Sequence, residues 1–257
     1  MRLCALVLWC LVGQPLFAAE CPAQLRMAYN ASWLPYVEVT DEAVKGQDID
    51  LIRGVVEQVG SRLQLQFVPE KRAMQMLQLG QVDMLFAASY TEARAGFAWF
   101  SRSYRKEYNV VLVHRQALQL YPELARRDAF LALAERKLVG VYNPAGFYGD
   151  AFEQVKQLPA VRHRSLAVFE PERRLELVFS QRADYTIVDR DAVQFDLRRH
   201  PDASQFQVLP FYLNEAEIHL MLSKASVAQS CVSAINAVFT AREKMSPGSG
   251  RSVLGSD

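Results

Sequence analysis

The sequence predicts an α/β fold built on a largely parallel sheet with helices on its faces. Three observations carry that prediction. First, residues 25–87 alternate between strand-like apolar runs and 3.6-period stretches, in the order strand, helix, strand, helix, strand. Second, the alternation restarts at Leu138 with another strand, loop and helix. Third, residues 79–94 read as a helix stop, a buried strand and a polar loop. Gly80 suits the left-handed position after a helix, and Val82, Met84, Leu85, Phe86 and Ala87 form the apolar run of a strand covered on both faces. The loop that follows carries Ser89, Thr91 and Arg94. Ligands of open α/β sheets bind at such strand ends, and two hydroxyls with a guanidinium suit an anion. A solvated loop with an exposed arginine would read the same way.

Taken in order, residues 25–29 form the first strand, and residues 30–44 a loop with Trp33, Pro35 and Tyr36. Asp48 is placed to cap a helix whose inner face holds Leu51, Ile52, Val55, Val56 and Val59, with Gly60 at its end. Leu63, Leu65 and Phe67 alternate with glutamines as a strand, and residues 73–79 form a short helix. Residues 108–113 read as a strand and 123–136 as a helix. Strand 138–141, loop 142–146 and helix 147–157 follow, then a helix at 171–180 with Pro171 in its first turn. A strand at 185–188 ends at Asp189, and Asp191 is read as the cap of a helix running to Arg199. A strand at 218–222 and an amphipathic helix at 227–242 close the pattern. Residues 180–189 repeat the logic of 79–89: polar turn, Asp, buried strand, polar end. That echo suggests two similar lobes facing one another across a cleft, a favoured place for a ligand.

With 257 residues, 51% of them apolar, the chain can bury a substantial core. A formal net charge of +1 argues against a nucleic-acid surface or a polybasic membrane patch. Met1-Arg2, the apolar residues 3–12 and the small residues Ala18-Ala19 read as a signal peptide over 1–19, too short in its apolar part to span a bilayer. The expected mature protein is exported to the periplasm. Of four cysteines, Cys4 and Cys10 leave with that segment. Cys21 and Cys231 remain, compatible with one bridge or with two buried thiols. Residues 246–257 are Ser/Gly-rich and expected to be a disordered tail.

No phosphate-binding glycine loop, dinucleotide fingerprint, nucleophile elbow or zinc-protease motif occurs. His114, His163, His200 and His219 lack metal-ligand spacing. No cofactor is expected.

The ordered motifs match a known family. Residues 25–27 through Trp33-Leu34-Pro35-Tyr36 resemble the first strand and aromatic-proline loop of the family 3 periplasmic solute-binding proteins of polar amino-acid ABC transporters. Gly46-Gln47-Asp48-Ile49-Asp50-Leu51 is similar to that family's first helix start, and Leu77 through Asp83 to its L-x-x-G-x-x-D turn. Ser89-x-Thr91-x-x-Arg94 has the spacing of its carboxylate-binding loop, Phe100-Ser101-x-x-Tyr104 that of the segment leading into its hinge, and Arg182-Ala183-Asp184 with Asp189 that of its second-lobe motif. The resemblance covers residues 25–244, nearly the whole mature chain.

The resemblance implies a two-lobed periplasmic-binding-protein-like fold of type II, each lobe a mixed, mostly parallel sheet flanked by helices, with the ligand cleft between. Carried onto this chain, lobe one is 20–105 plus 222–245 and lobe two 106–221. It implies Arg94, Ser89 and Thr91 on a ligand carboxylate, Asp189 on its amino group, Trp33 and Tyr36 as an aromatic wall, and backbone N–H groups near Gly146 and Phe147 at a second-lobe helix start. It also places Cys21 and Cys231 in one lobe, where a disulfide leaves the hinge free. Asn30, Trp33, Gln47 and Glu70 depart from the usual family residues. With Asn30 uncharged, the expected ligand is a small zwitterion or carboxylate with an uncharged side chain. The implied function is a monomeric, non-enzymatic binding protein that delivers a small solute to a membrane permease. A dehydratase-like enzyme on the same fold, or a sensor acting in trans on a membrane receptor, are the alternatives.

Overall fold

The computed structural model describes residues 21–245; the expected signal segment and C-terminal tail lie outside the described residues. Strand β1 (Gln24–Tyr29) buries Leu25, Met27 and Ala28. The segment expected as loop holds a small antiparallel hairpin, β2 (Glu38–Val39) and β3 (Val44–Lys45). Helix α1 (Gln47–Gln58) starts from Gly46 at φ +128°, where a Cβ would stand 2.4 Å from the Tyr36 carbonyl oxygen. Asp48 is therefore not the cap. It lies inside the first turn, buried, and accepts hydrogen bonds from the Tyr104 hydroxyl at 2.9 Å and Arg105 Nε at 3.3 Å. Strand β4 (Arg62–Phe67) is followed by α2 (Glu70–Gln78), which begins three residues before the expected Ala73. Its polar first turn hides it from the apolar period and sets Glu70 at the helix's first position. Strand β5 (Met84–Ser89), the one-turn α3 (Glu92–Ala95) and β6 (Ala98–Phe100) complete the first side.

Strand β7 (Arg105–His114) leads into the second side. An unexpected α4 (Arg115–Leu120) comes first, and the expected helix at 123–136 is broken into a 3₁₀ turn at Pro122–Ala125 and α5 (Arg127–Arg136), with Arg126 extended between them. Then come β8 (Gly140–Tyr142), α6 (Asp150–Gln157), α7 (Pro159–Arg164), β9 (Leu166–Ala167), α8 (Pro171–Phe179), β10 (Tyr185–Asp189), α9 (Arg190–Leu197), β11 (Phe206–Val208), β12 (Asn214–Ser223) and α10 (Gln229–Met245). Helix α6 starts after Gly149 at φ +88°, so Gly146 and Phe147 sit in the preceding loop rather than at a helix start. Asp189, not Asp191, caps α9; its carboxylate accepts from the backbone N–H of Asp191 and Ala192.

The strand order is β4-β1-β5-β12-β7-β10-β8-β9. Both flanks are parallel and the centre is antiparallel. Strands β7 and β12 cross from one side to the other. β12 pairs with β7 over 214–218 and with β5 and β6 over 218–223, while β7 pairs with β10 over 109–113. The result is a two-lobed α/β molecule joined by two long strands. Apolar clusters around Ile52, Leu222 and Ile235 and around Leu77 and Val82 fill one lobe. Clusters around Phe130, Phe152 and Tyr185 and around Leu112, Val178 and Val193 fill the other.

The echo between the halves is a matching pair of turns. Arg26 N donates to the Asp83 carboxylate at 2.8 Å while Asp83 N donates to Arg26 O at 2.9 Å. In the second half Val139 N donates to the Asp184 carboxylate at 2.7 Å and Asp184 N to Val139 O at 2.8 Å. Each aspartate thus fastens the entry of a buried strand to its neighbour. Gly80 at φ +68° and Gln181 at φ +56° take the same left-handed step before them.

Cys21 and Cys231 form a disulfide with Cα atoms 4.6 Å apart, tying the segment just before β1 to α10 across 210 residues of sequence. A Cys21→Ser/Cys231→Ser double variant should lose about 2–4 kcal/mol of stability, because closing so long a loop restricts the unfolded chain. Urea unfolding of oxidised parent and variant measures this; equal midpoints would contradict it.

Candidate functional site

A cavity of about 250 Å³ lies between the lobes, where the ends of β1 and β5 face the ends of β8 and β10. That is room for one molecule of amino-acid size, at the small end of ligand pockets. Of the residues expected at a site, Trp33, Ser89, Arg94, Gly146, Phe147 and Asp189 line it. Thr91 and Tyr36 stand behind it. The Thr91 hydroxyl caps α3 by accepting from Arg94 N at 3.3 Å, and Tyr36 is buried with its hydroxyl on Asp189.

Arg94 is held by α3, one step beyond the carboxyl end of β5. Its Nη1 donates to Ser89 O and its Nη2 to Ala145 O, both at 2.8 Å. The second bond crosses the cleft to the loop after β8. Burial lowers the pKa of this guanidinium, while Glu153 and Glu70 pull it back up. Strand β5 is irregular just before the site: Ala87 has φ +53°, and the pairing with β12 shifts between His219 and Met221. The Tyr104 hydroxyl accepts from Ala87 N at 3.0 Å and donates to Asp48, so the first turn of α1 anchors the strand end that carries Ser89.

Asp189 ends β10 on the opposite lobe and is 3% exposed. Its Oδ1 accepts from the Tyr36 hydroxyl at 2.7 Å and from the N–H groups of Ala192 at 3.0 Å and Asp191 at 3.1 Å. Among the described residues its Oδ2 takes only the Tyr108 N–H, at 3.3 Å, and keeps capacity for a further donor. The Tyr36 ring is fixed from behind, 4.8 Å from the Trp33 ring and 4.0 Å from the Arg105 guanidinium carbon. Burial and the neighbouring Asp189 push the Tyr36 hydroxyl pKa far up, so it stays a proton donor.

Glu107, Asn109, Asn143, Arg174 and Asp196 also line the cavity, and no sequence signal singled them out. The one hint was in β7, where Arg105, Glu107 and Asn109 fall on alternate positions just before the apolar run 110–113. Glu70 and Asn30 line it too, noted in the sequence only as departures from the family's usual residues. Among the described residues no group of His, Cys, Asp and Glu side chains is arranged to hold a metal ion.

The Glu107 carboxyl is pushed up to about 7 by burial and by the nearby Asp189 and Asp48, against the pull of Arg105. Its folded pKa lies above its value of 4.5 in an open chain, so folding favours the protonated form. Stability should be unaffected below that lower value, fall as pH rises towards 7, and carry a cost of roughly 3 kcal/mol above it. Glu107→Gln should therefore match the parent at about pH 4 and exceed it at about pH 8. Urea unfolding at both pH values checks this, and a variant less stable than the parent at the higher pH would contradict it.

The sequence profile of the bacterial extracellular solute-binding proteins, family 3, matches residues 25–244. No curated protein matches the chain. Among solved structures, a variant of the arginine-binding protein ArgBP from T. maritima aligns with a TM-score of 0.71 at 14% identity, covering 88% of this chain and 91% of that one. The substrate-binding protein of an amino acid ABC transporter aligns at 0.70 and 19% identity, covering 87% and 94%. An ancestral amino-acid-binding protein described as a precursor of cyclohexadienyl dehydratase aligns at 0.68 and 16% identity, covering 86% and 90%. At these identities the likeness is one of fold.

Proposed function

The chain belongs to the bacterial extracellular solute-binding proteins of family 3, and from that premise we propose that it binds a small amino-acid-type zwitterion between its lobes and delivers it to the permease of an ABC transporter. The observation that carries this reading is one cation and one anion on opposite walls of one cavity: Arg94 beyond β5 and Asp189 at the end of β10. Arg94 grips the ligand carboxylate, with Ser89 beside it and Thr91 holding the turn. Asp189 receives the ligand ammonium on Oδ2. Trp33 packs against the ligand, Tyr36 fixes Asp189, and Gly146 and Phe147 close over the carboxylate from the second lobe. Only the closed arrangement brings both charges to one ligand, so binding shifts the hinge equilibrium towards closure.

Under this reading lobe one comprises residues 20–105 and 222–245, lobe two comprises 106–221, and the protein works as an exported periplasmic monomer after cleavage of residues 1–19. Among the described residues no helix is long and apolar enough to cross a membrane. A thermal-shift screen of the common amino acids and small carboxylates tests the reading. Stabilisation by at least one amino acid supports it. Silence from all of them, with turnover of a prephenate-like acid by the pure protein, would replace it with the enzymatic alternative.

A further inference from the structure

We propose that the cleft selects an amino acid whose side chain ends in a cation, with Glu70 as the residue that reads that charge. The proposal rests on the amino-acid reading of the cleft. In the sequence Asn30 stands where a basic side chain would need an acid, and that absence pointed to an uncharged ligand. The fold supplies the acid from another element. Glu70, at the first position of α2, sets its Oε2 2.8 Å from Asn30 Nδ2 and its Oε1 2.6 Å from Asn143 Nδ2. Both asparagines give an amide N–H to this carboxylate. Each carboxylate oxygen keeps a lone pair for a ligand, so this end of the cavity offers a charged acceptor.

The charge inventory points the same way. Glu70, Glu107, Asp189 and Asp196 line the cavity, against Arg94 and Arg174. The ligand's own carboxylate and ammonium pair with Arg94 and Asp189. Glu107 stands 3.6 Å from Arg105 Nη1, so Glu70 and Asp196 face one arginine, and Arg174 Nη1 is already directed to the carbonyls of Val168 and Phe169 at 3.1 and 2.5 Å. A further acidic group on the ligand would add to that surplus; a cation would offset it. Burial raises the Glu70 pKa, opposed by the Asn143 and Asn30 hydrogen bonds and by Arg174, and a bound cation would add to that opposition. Asn30 comes from the first lobe and Asn143 from the second, so the carboxylate that meets the cation is held from both sides of the cleft.

The test is calorimetric titration of the parent and of Glu70→Gln with L-arginine, L-lysine, L-glutamine, L-leucine and L-glutamate. In the parent, arginine or lysine should bind at least about tenfold tighter than any of the other three, and in Glu70→Gln that preference should shrink to about threefold or less. Glutamine, leucine or glutamate binding as tightly as the cationic probes in the parent would overturn the proposal while leaving the amino-acid reading standing. A cationic preference untouched by Glu70→Gln would also overturn it. Silence from all five probes would overturn the amino-acid reading and this proposal with it. The parent's ranking alone can refute the proposal should the variant fail to fold.

Discussion

Replacing Arg94 with alanine is expected to abolish ligand binding and leave the fold intact. The guanidinium lines the cavity, and its two hydrogen bonds run to the main-chain carbonyls of Ser89 and Ala145, which water can satisfy at an open cleft. Among the described residues Arg94 forms no ion pair within the fold. Its loss should therefore change unfolding free energy by less than about 1 kcal/mol. Ligand binding should fall much further. Charge-assisted hydrogen bonds contribute about 1.5–3 kcal/mol each, and a bidentate pair lost together exceeds about a hundredfold in affinity. Calorimetry with the amino acid that binds the parent most tightly, beside urea unfolding without ligand, reads both numbers. Unchanged affinity would remove Arg94 from the site, and a large loss of stability would make it a structural residue.

Asp189→Ala should damage both binding and stability. The same carboxylate caps α9, receives the buried Tyr36 hydroxyl and faces the cavity. Losing a helix cap costs about 1 kcal/mol, and leaving a buried hydroxyl without its acceptor costs about 1–3 kcal/mol more. The expected destabilisation is about 2–4 kcal/mol. Asp189→Asn keeps an acceptor oxygen for the cap but no charge for the ammonium. It should recover part of the stability and none of the ligand affinity. Urea unfolding and calorimetry on the two variants separate the roles. An alanine variant within about 0.5 kcal/mol of the parent would contradict the cap, and an asparagine variant binding as tightly as the parent would contradict the charge contact.

The α/β alternation was legible because the main elements carry either a helical apolar period, as in α1, or an unbroken apolar run, as in β5. The short strands β6, β9 and β11 were not, since two or three residues pairing with distant partners leave no period to find. Helix α2 began earlier than expected because its first turn, Glu70-Lys71-Arg72, is polar, with Lys71 and Arg72 exposed. Asp48 and Asp191 had the look of caps, but Gly46 at φ +128° and Asp189 took those positions. The motif resemblance singled out Arg94 and Asp189, and both line the cavity. The setting of Glu70 was hidden because it depends on Asn30, 40 residues away, and Asn143, 73 residues away. Glu107 was hidden because its neighbours Asp48 and Asp189 come from other elements.

Titration of the protein with a panel of free amino acids and with their amidated and N-acetylated derivatives tests the zwitterion clamp most directly. Amidation removes the charge meant for Arg94, and acetylation removes the charge meant for Asp189. One-site binding by at least one free amino acid, lost on either modification, is the expected result. Absence of binding by every free amino acid, or a derivative that binds as tightly as its parent compound, would contradict it.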